Sequence, residues 1–263
     1  MESGHWKLLA DEAGLASYCL GSGLASMRKA NIVEPKHYYG AFFEYTIGLE
    51  RVLKLALIVD YCVEQGRFPS DQKYAKKFGH ELSSLIVNLS EVRGRLNPAA
   101  RVWEIPDGPI FDAAVTILSD FARVTRYYNI DVLTGKEPTA DPVARWFLGV
   151  GIPLMRTRKK NPDVQWARLV DDAAGDAVSI RFTDLGGNPV SSFEDMARIT
   201  KDSEFIARES TFLCAKLARY AISVFVARAE QASQSMGLPY FEEFFYPLLL
   251  EDSALKKRKT FML

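Results

Sequence analysis

The sequence predicts an all-α protein, with a four-helix bundle over residues 1–135 and a mainly helical extension over residues 136–263 packed on it. Three observations predict this. Apolar residues recur at helical spacing through most of the first 133 positions. Proline and glycine clusters cut that stretch into segments of helical length joined by short connections. Strand-like alternation is confined to residues 178–182, ahead of the turn signal Gly186-Gly187-Asn188-Pro189, so only a small hairpin near 178–190 is expected.

The first helix is expected over residues 6–30, where Leu8, Leu15, Cys19, Leu20, Leu24 and Met27 recur. Gly14, Gly21 and Gly23 each cost about 1 kcal/mol of helix propensity relative to alanine, but allow a neighbour to pack closely. Pro35 suits the first turn of the second helix, because its backbone angle is already helical. That helix should run to Gln65, before Gly66 and Pro69. Phe42, Tyr45, Leu49, Val52 and Ala56 form one stripe on it, and Phe43, Ile47, Leu55, Ile58 and Cys62 a second. A helix apolar on two faces belongs at the centre of its bundle. Ser70 is the expected cap of a third helix carrying Tyr74, Phe78, Leu82, Leu85, Leu89 and Val92. Pro106, Gly108 and Pro109 announce a fourth, with its stripe running from Phe111 through Leu118 and Phe121 to Thr125 and Tyr128.

Beyond Gly135, Asp141-Pro142 starts a helix through Trp146, Phe147 and Val150, with a break near Gly151 and Pro153. Ser191 and Glu194 have capping-box spacing, so a helix is expected from Ser192. A separate long helix is expected over 203–234 and a short aromatic one over 241–250. Lys256-Lys257-Arg258-Lys259 then reads as a frayed basic tail.

Composition narrows the function classes. Apolar residues make up 48% and charged residues 25%, ordinary globular values. Net charge is zero, so any nucleic-acid site must be a local patch. Cys19, Cys62 and Cys214 are dispersed and without a CxxC pair, which points to reduced thiols in a cytoplasmic protein. Neither a signal peptide nor a membrane span is expected. With three histidines in the chain, no metal site is expected, and no motif asks for a cofactor: Walker loop and Gly-x-Ser-x-Gly elbow are both missing.

Polar residues stand out at four places. Glu50 and Lys54 lie one helical turn apart in the order that favours an ion pair. Gly79-His80-Glu81-Leu82 places a histidine off the apolar stripe. Arg126-Tyr127-Tyr128-Asn129 ends the fourth helix, where a guanidinium either binds terminal carbonyls or offers its planar fork to phosphate. Arg123 and Asp131 flank it. Arg156, Arg158, Lys159 and Lys160 form the strongest local positive run, a candidate for RNA contact or a solvated loop.

On Glu50 and Lys54, Gly79-His80-Glu81-Leu82 and Arg126, the chain resembles the HEPN superfamily, helical proteins of prokaryotic stress and antiviral systems. The likeness covers about half of the chain. It implies a four-helix bundle, a homodimer and an association with RNA or nucleotides. Many HEPN proteins are metal-independent ribonucleases whose site is an arginine followed four to six residues later by a histidine. Arg126 matches the arginine, but Asp131, Val132 and Leu133 stand where the histidine would be. An ionised aspartate repels phosphate and suits neutral proton transfer poorly. The resemblance therefore implies a binding or assembly module for RNA, nucleotide or a protein partner, rather than a conventional ribonuclease. The alternative is a ribonuclease using Arg126, Tyr127, Asn129 and a His80 brought close by folding. A second alternative is an unrelated interaction scaffold, with Trp146, Phe147 and the 241–246 aromatics facing a partner.

Overall fold

The fold is a computed structural model that describes residues 3–31, 34, 36–71, 73–74, 76–137, 140–175, 182–183, 189–237 and 240–261. It is all-α. Helix α1 (Ser3–Lys29) packs along α2 (Lys36–Gln65), and α3 (Leu82–Gly94) and α4 (Pro109–Arg123) complete the bundle around α2. The α1–α2 contact depends on two glycines. A Cβ on Gly23 would lie 2.5 Å from the Tyr45 backbone nitrogen, and one on Gly48 would lie 2.7 Å from that of Leu20. The loss of helix propensity at these positions is offset by backbone approach that no side chain would allow.

Helix α9 (Phe193–Met236) is a fifth core element. It packs against α1, α2 and α3, and its Tyr220, Val224 and Phe225 are fully buried. Tyr45 on α2 donates its hydroxyl to the Cys214 carbonyl of α9 at 2.8 Å. Near the other end, Asp60 of α2 accepts from Arg95 at 2.7 Å and from Arg228 of α9 at 2.8 Å. Arg228, whose side chain is 4% exposed, also bonds Glu64. A buried network of this kind is costly to break on one side, by about 3–5 kcal/mol, because it strands a charge. One 18-residue window of α9 is apolar enough to cross a membrane by length and composition alone, and 78% of that window is buried inside the fold.

Several boundaries differ from those expected. Ser70 does not cap the third helix: its hydroxyl accepts weakly from Arg67, and α3 starts only at Leu82, after a 3-10 turn at Lys76–Phe78. Gly79, at φ +64, reverses the chain between them, so Gly79, His80 and Glu81 precede the helix instead of lying in it. The fourth helix ends at Arg123. A 3-10 turn (Thr125–Tyr127) and the short α5 (Tyr128–Leu133) follow, so Arg126 lies past the helix end. The expected break near Gly151 is a π-helical stretch, Phe147–Gly151, joining α6 (Pro142–Trp146) to α7 (Ile152–Arg156). Its glycines lie close to Ile117 and Ile206.

The two helices expected over 192–234 are one. No glycine or proline interrupts residues 193–236, and the start is doubly capped. The Ser192 hydroxyl accepts from the Asp195 amide at 3.0 Å, one residue along from the predicted capping box. Asp171 of α8 (Gln165–Ala174) accepts from the Phe193 and Glu194 amides at 2.7 and 2.9 Å. Short strands β1 (Phe182–Thr183) and β2 (Pro189–Val190) pair antiparallel. Of the predicted strand only Phe182, the first residue of β1, is described; residues 178–181 and the turn at Gly186-Gly187-Asn188 lie outside the described residues, as does Pro35.

The C-terminal tail is packed, not frayed. A 3-10 segment (Glu242–Leu248) and α10 (Asp252–Lys257) lie against α1 and α9, and Phe261 is buried. Lys256 reaches Glu209 at 2.7 Å, while Arg219, stacked 3.8 Å from the Trp103 ring centre, holds Asp252. Trp146, Phe241 and Phe245 are all buried core residues, which removes them from the partner-facing surface expected of a scaffold; Tyr246 stays exposed.

Candidate functional site

Folding gathers four of the singled-out polar residues of the first half, Glu50, Lys54, His80 and Arg126, into one pocket. Lys54 donates to Glu50 Oε1 at 2.8 Å across a turn of α2. The Gly79 reversal delivers His80, whose Nδ1 lies 2.9 Å from the same oxygen. Arg126 enters from the turn after α4. Its guanidinium donates to the Ala122 carbonyl at 3.0 Å and lies 5.4 Å from the Phe43 ring centre. With Glu12, Arg51 and the apolar Ile47, Leu55 and Ile58, these residues line a cavity of 430 Å³.

The pocket is close to charge-balanced, with Glu12 and Glu50 facing Arg51, Lys54 and Arg126. Arg51 bonds Glu12, so most of these charges satisfy one another. The Nε of Arg126 is buried and has no hydrogen-bond partner. When Nδ1–H of His80 donates to Glu50, Nε2 keeps its lone pair, and the ring is largely exposed. The arrangement can therefore orient one base beside one guanidinium.

Other predicted residues of this half lie elsewhere. Arg123 pairs with Glu81 at 3.1 Å on the surface. Asp131 is held by Lys136 at 2.6 Å. Asn129 bonds Tyr39, whose hydroxyl donates to Asp141 at 2.9 Å. Burial, reinforced by that carboxylate, pushes the Tyr39 hydroxyl up, so it stays protonated at neutral pH. None of Arg123, Asn129 and Asp131 lines the Glu50 pocket.

A second cluster is far less balanced. Arg158, Lys159 and Lys160 follow α7 and form one wall of a groove of 890 Å³. Arg28 and Lys29, from the last turn of α1, form another. Lys201 and Arg208 on α9 and Lys259 from the tail complete it. Among the described residues, eight cationic side chains line the groove with one carboxylate, Glu204, which Lys201 reaches at 3.2 Å, while Glu209, outside the lining, pairs with Arg208 at 2.9 Å. The groove's one aromatic ring, Phe205, has the guanidiniums of Arg158 and Arg208 at 4.9 and 5.2 Å from its centre. Arg158 also donates to Asp202 at 2.6 Å. Burial raises the Asp202 carboxyl, against the opposing pull of Arg158 and Arg198. Burial also lowers the Arg28 guanidinium, and repulsion from Arg208 adds to it. Of the predicted basic run, Arg156 is exposed and does not line the groove.

No family model, no curated protein and no solved structure matches the chain.

Sequence reasoning found three of the groove's cations and missed Arg28, Lys29, Lys201, Arg208 and Lys259. One signal was available. Lys201, Glu204, Phe205 and Arg208 share a face of α9 at helical spacing. It was hidden because the long helix was expected to begin at 203, which leaves Lys201 outside it.

Proposed function

We propose that the chain is a HEPN-like helical module that binds RNA through the groove between α1, α7 and α9, acting as a cytoplasmic homodimer. The observation that carries the reading is the charge imbalance of that groove in a chain whose net charge is zero. Lysines and arginines that outnumber acids along a groove track a phosphate backbone, and binding is driven by the counterions they release. Among the described residues Phe205 is the groove's one aromatic ring, and it has its guanidinium neighbours, so the binding is to backbone and tolerant of sequence. The resemblance carried by Glu50, Lys54, His80 and Arg126 supports RNA as the polyanion. Exposed Tyr127, Ile130 and Leu133 around α5 offer apolar surface for the second copy. Fluorescence anisotropy with labelled single-stranded RNA tests the reading: saturable binding that weakens steeply with salt is expected. A well-folded protein that leaves RNA free at low salt would contradict it.

A second reading, metal-independent RNA cleavage, is favoured by the placement of His80 and Arg126 on one pocket. In it, Nε2 of His80 takes the proton of a ribose 2′-hydroxyl. The resulting oxygen bonds to phosphorus, the bond to the 5′-oxygen breaks, and a water protonates the leaving oxygen. Arg126 neutralises the phosphate. Cleavage that persists in EDTA and is lost in both His80→Ala and Arg126→Ala is the expected signature.

A further inference from the structure

We infer that the basic groove contains a clamp for a terminal phosphate, built on Arg28 and Arg208, so that RNA with a phosphomonoester end is held preferentially. The inference rests on the RNA-binding reading and specifies what the groove selects.

Arg28 differs from the other cations of the groove. It belongs at once to the main groove and to an adjoining cavity of 380 Å³, which share Arg28, Lys29 and Glu204. It therefore stands at the groove's inner junction. Its Nε is buried with no hydrogen-bond partner, and among the described residues no carboxylate forms an ion pair with its guanidinium. The nearest acids are engaged elsewhere: Glu204 with Lys201, and Glu209 with Arg208 and Lys256. A guanidinium whose Nε is buried without an acceptor is costly, because that donor has been taken from water with nothing in return. Burial lowers the Arg28 guanidinium, and Arg208 lies close enough for the two positive charges to repel and add to it, against the pull of Glu204 and Glu209.

An anion in the groove beside both guanidiniums offsets their repulsion and gives the Nη groups of Arg28 an acceptor. An internal phosphodiester brings one negative charge and two free oxygens. A phosphomonoester at neutral pH brings a charge of about −1.5 to −2 and three acceptor oxygens. The second group matches the pair better: no carboxylate among the described residues engages Arg28, and Arg208, whose Nε and one Nη are held by Glu209, still has its other Nη to offer. The cavity beyond Arg28 gives a chain end room to terminate, while Lys159 and Lys160 at the outer wall follow the backbone.

The test uses one RNA oligonucleotide in three forms, with a 5′-phosphate, a 3′-phosphate or hydroxyls at both ends. Their equilibrium binding to the full-length protein is compared with that to Arg28→Gln and Arg28→Lys. Charge-assisted hydrogen bonds of this type are worth about 1.5–3 kcal/mol, so one phosphorylated form should bind on the order of tenfold tighter than the hydroxyl form. Arg28→Gln should erase that preference and weaken the hydroxyl form only by the loss of one groove cation, about threefold. Arg28→Lys, which keeps the charge and stem, should retain a part of it; this guards against mistaking a folding defect for loss of the clamp. Whichever phosphorylated arm wins identifies the end. Equal binding of all three forms would overturn the clamp and leave RNA binding standing. A preference that survives in Arg28→Gln would also overturn it. Failure of every form to bind would overturn both readings.

Discussion

The Glu50 pocket and the basic groove hold similar residue types in opposite electrostatic states. In the pocket, Lys54 and His80 converge on Glu50, Arg51 pairs with Glu12, and Arg126 bonds a helix-end carbonyl. In the groove, Lys201, Arg158 and Arg208 have acidic partners, but among the described residues Lys29, Lys159, Lys160 and Lys259 have none, and the Nε of Arg28 has no acceptor. The difference teaches that a memorable polar motif and a ligand-seeking surface need not coincide. Charges that satisfy one another within the fold contribute modest stability, whereas charges left unmatched are held ready for a partner.

The largest expected effect comes from neutralising the groove. The triple variant Lys29→Gln, Lys159→Gln and Lys160→Gln should weaken RNA binding on the order of 100-fold at low salt without altering the melting temperature. Those lysines form no ion pair among the described residues, so the fold loses nothing when they are replaced. A large fall in melting temperature would break the comparison by showing that the groove is structural.

The pocket should respond in the reverse sense. Glu50→Gln removes the negative charge that Lys54 and His80 share and should cost about 1 kcal/mol of stability in chemical denaturation. RNA affinity should stay within about twofold, because the pocket and groove share no lining residue. Arg126→Ala should behave alike, losing its bond to Ala122 and its contact with Phe43. A severe loss of RNA affinity in either variant would move the binding site to the pocket and sink the distinction between the two regions.

The smallest effect is one of pH. Because burial raises the Asp202 carboxyl, it protonates above the ordinary aspartate value of 3.8 as pH falls. Protonation frees Arg158 from its partner and adds one unmatched cation to the groove. RNA affinity should therefore rise severalfold, roughly threefold, on acidification. Asp202→Asn should show the higher affinity already at neutral pH and lose that pH dependence. Affinity that falls on acidification, or an unaltered profile in Asp202→Asn, would place Arg158 outside the binding surface.

The bundle was largely legible because its signals are local. Pro109 and Gly108 mark the start of α4, Gln65 ends α2 before Gly66, and the double stripe of α2 correctly places that helix at the centre. The small residues of α1 were read as permitting close approach, and Gly23 provides it. What escaped was set by distant contacts. The polar start of α9 reads as two helices until Asp171, from another element, caps it. The tail looks frayed until Glu209 and a buried Phe261 hold it. For the pocket, spacing revealed the Glu50–Lys54 pair, but only folding brings His80 and Arg126 to it. The groove was least legible of all, since its cations come from four separate parts of the chain and no local pattern joins Arg28 to Lys259.

The central claim is that the groove binds the RNA backbone through unmatched charge, and the salt dependence of binding tests it most directly. Affinity for single-stranded RNA should be measured across ionic strength for the parent protein and for the Lys29, Lys159 and Lys160 triple variant. Each phosphate contact contributes about 0.7 to the slope of log affinity against log salt, so removing three should flatten the slope by about 2. Identical slopes for the two proteins, or affinity indifferent to salt, would contradict the account.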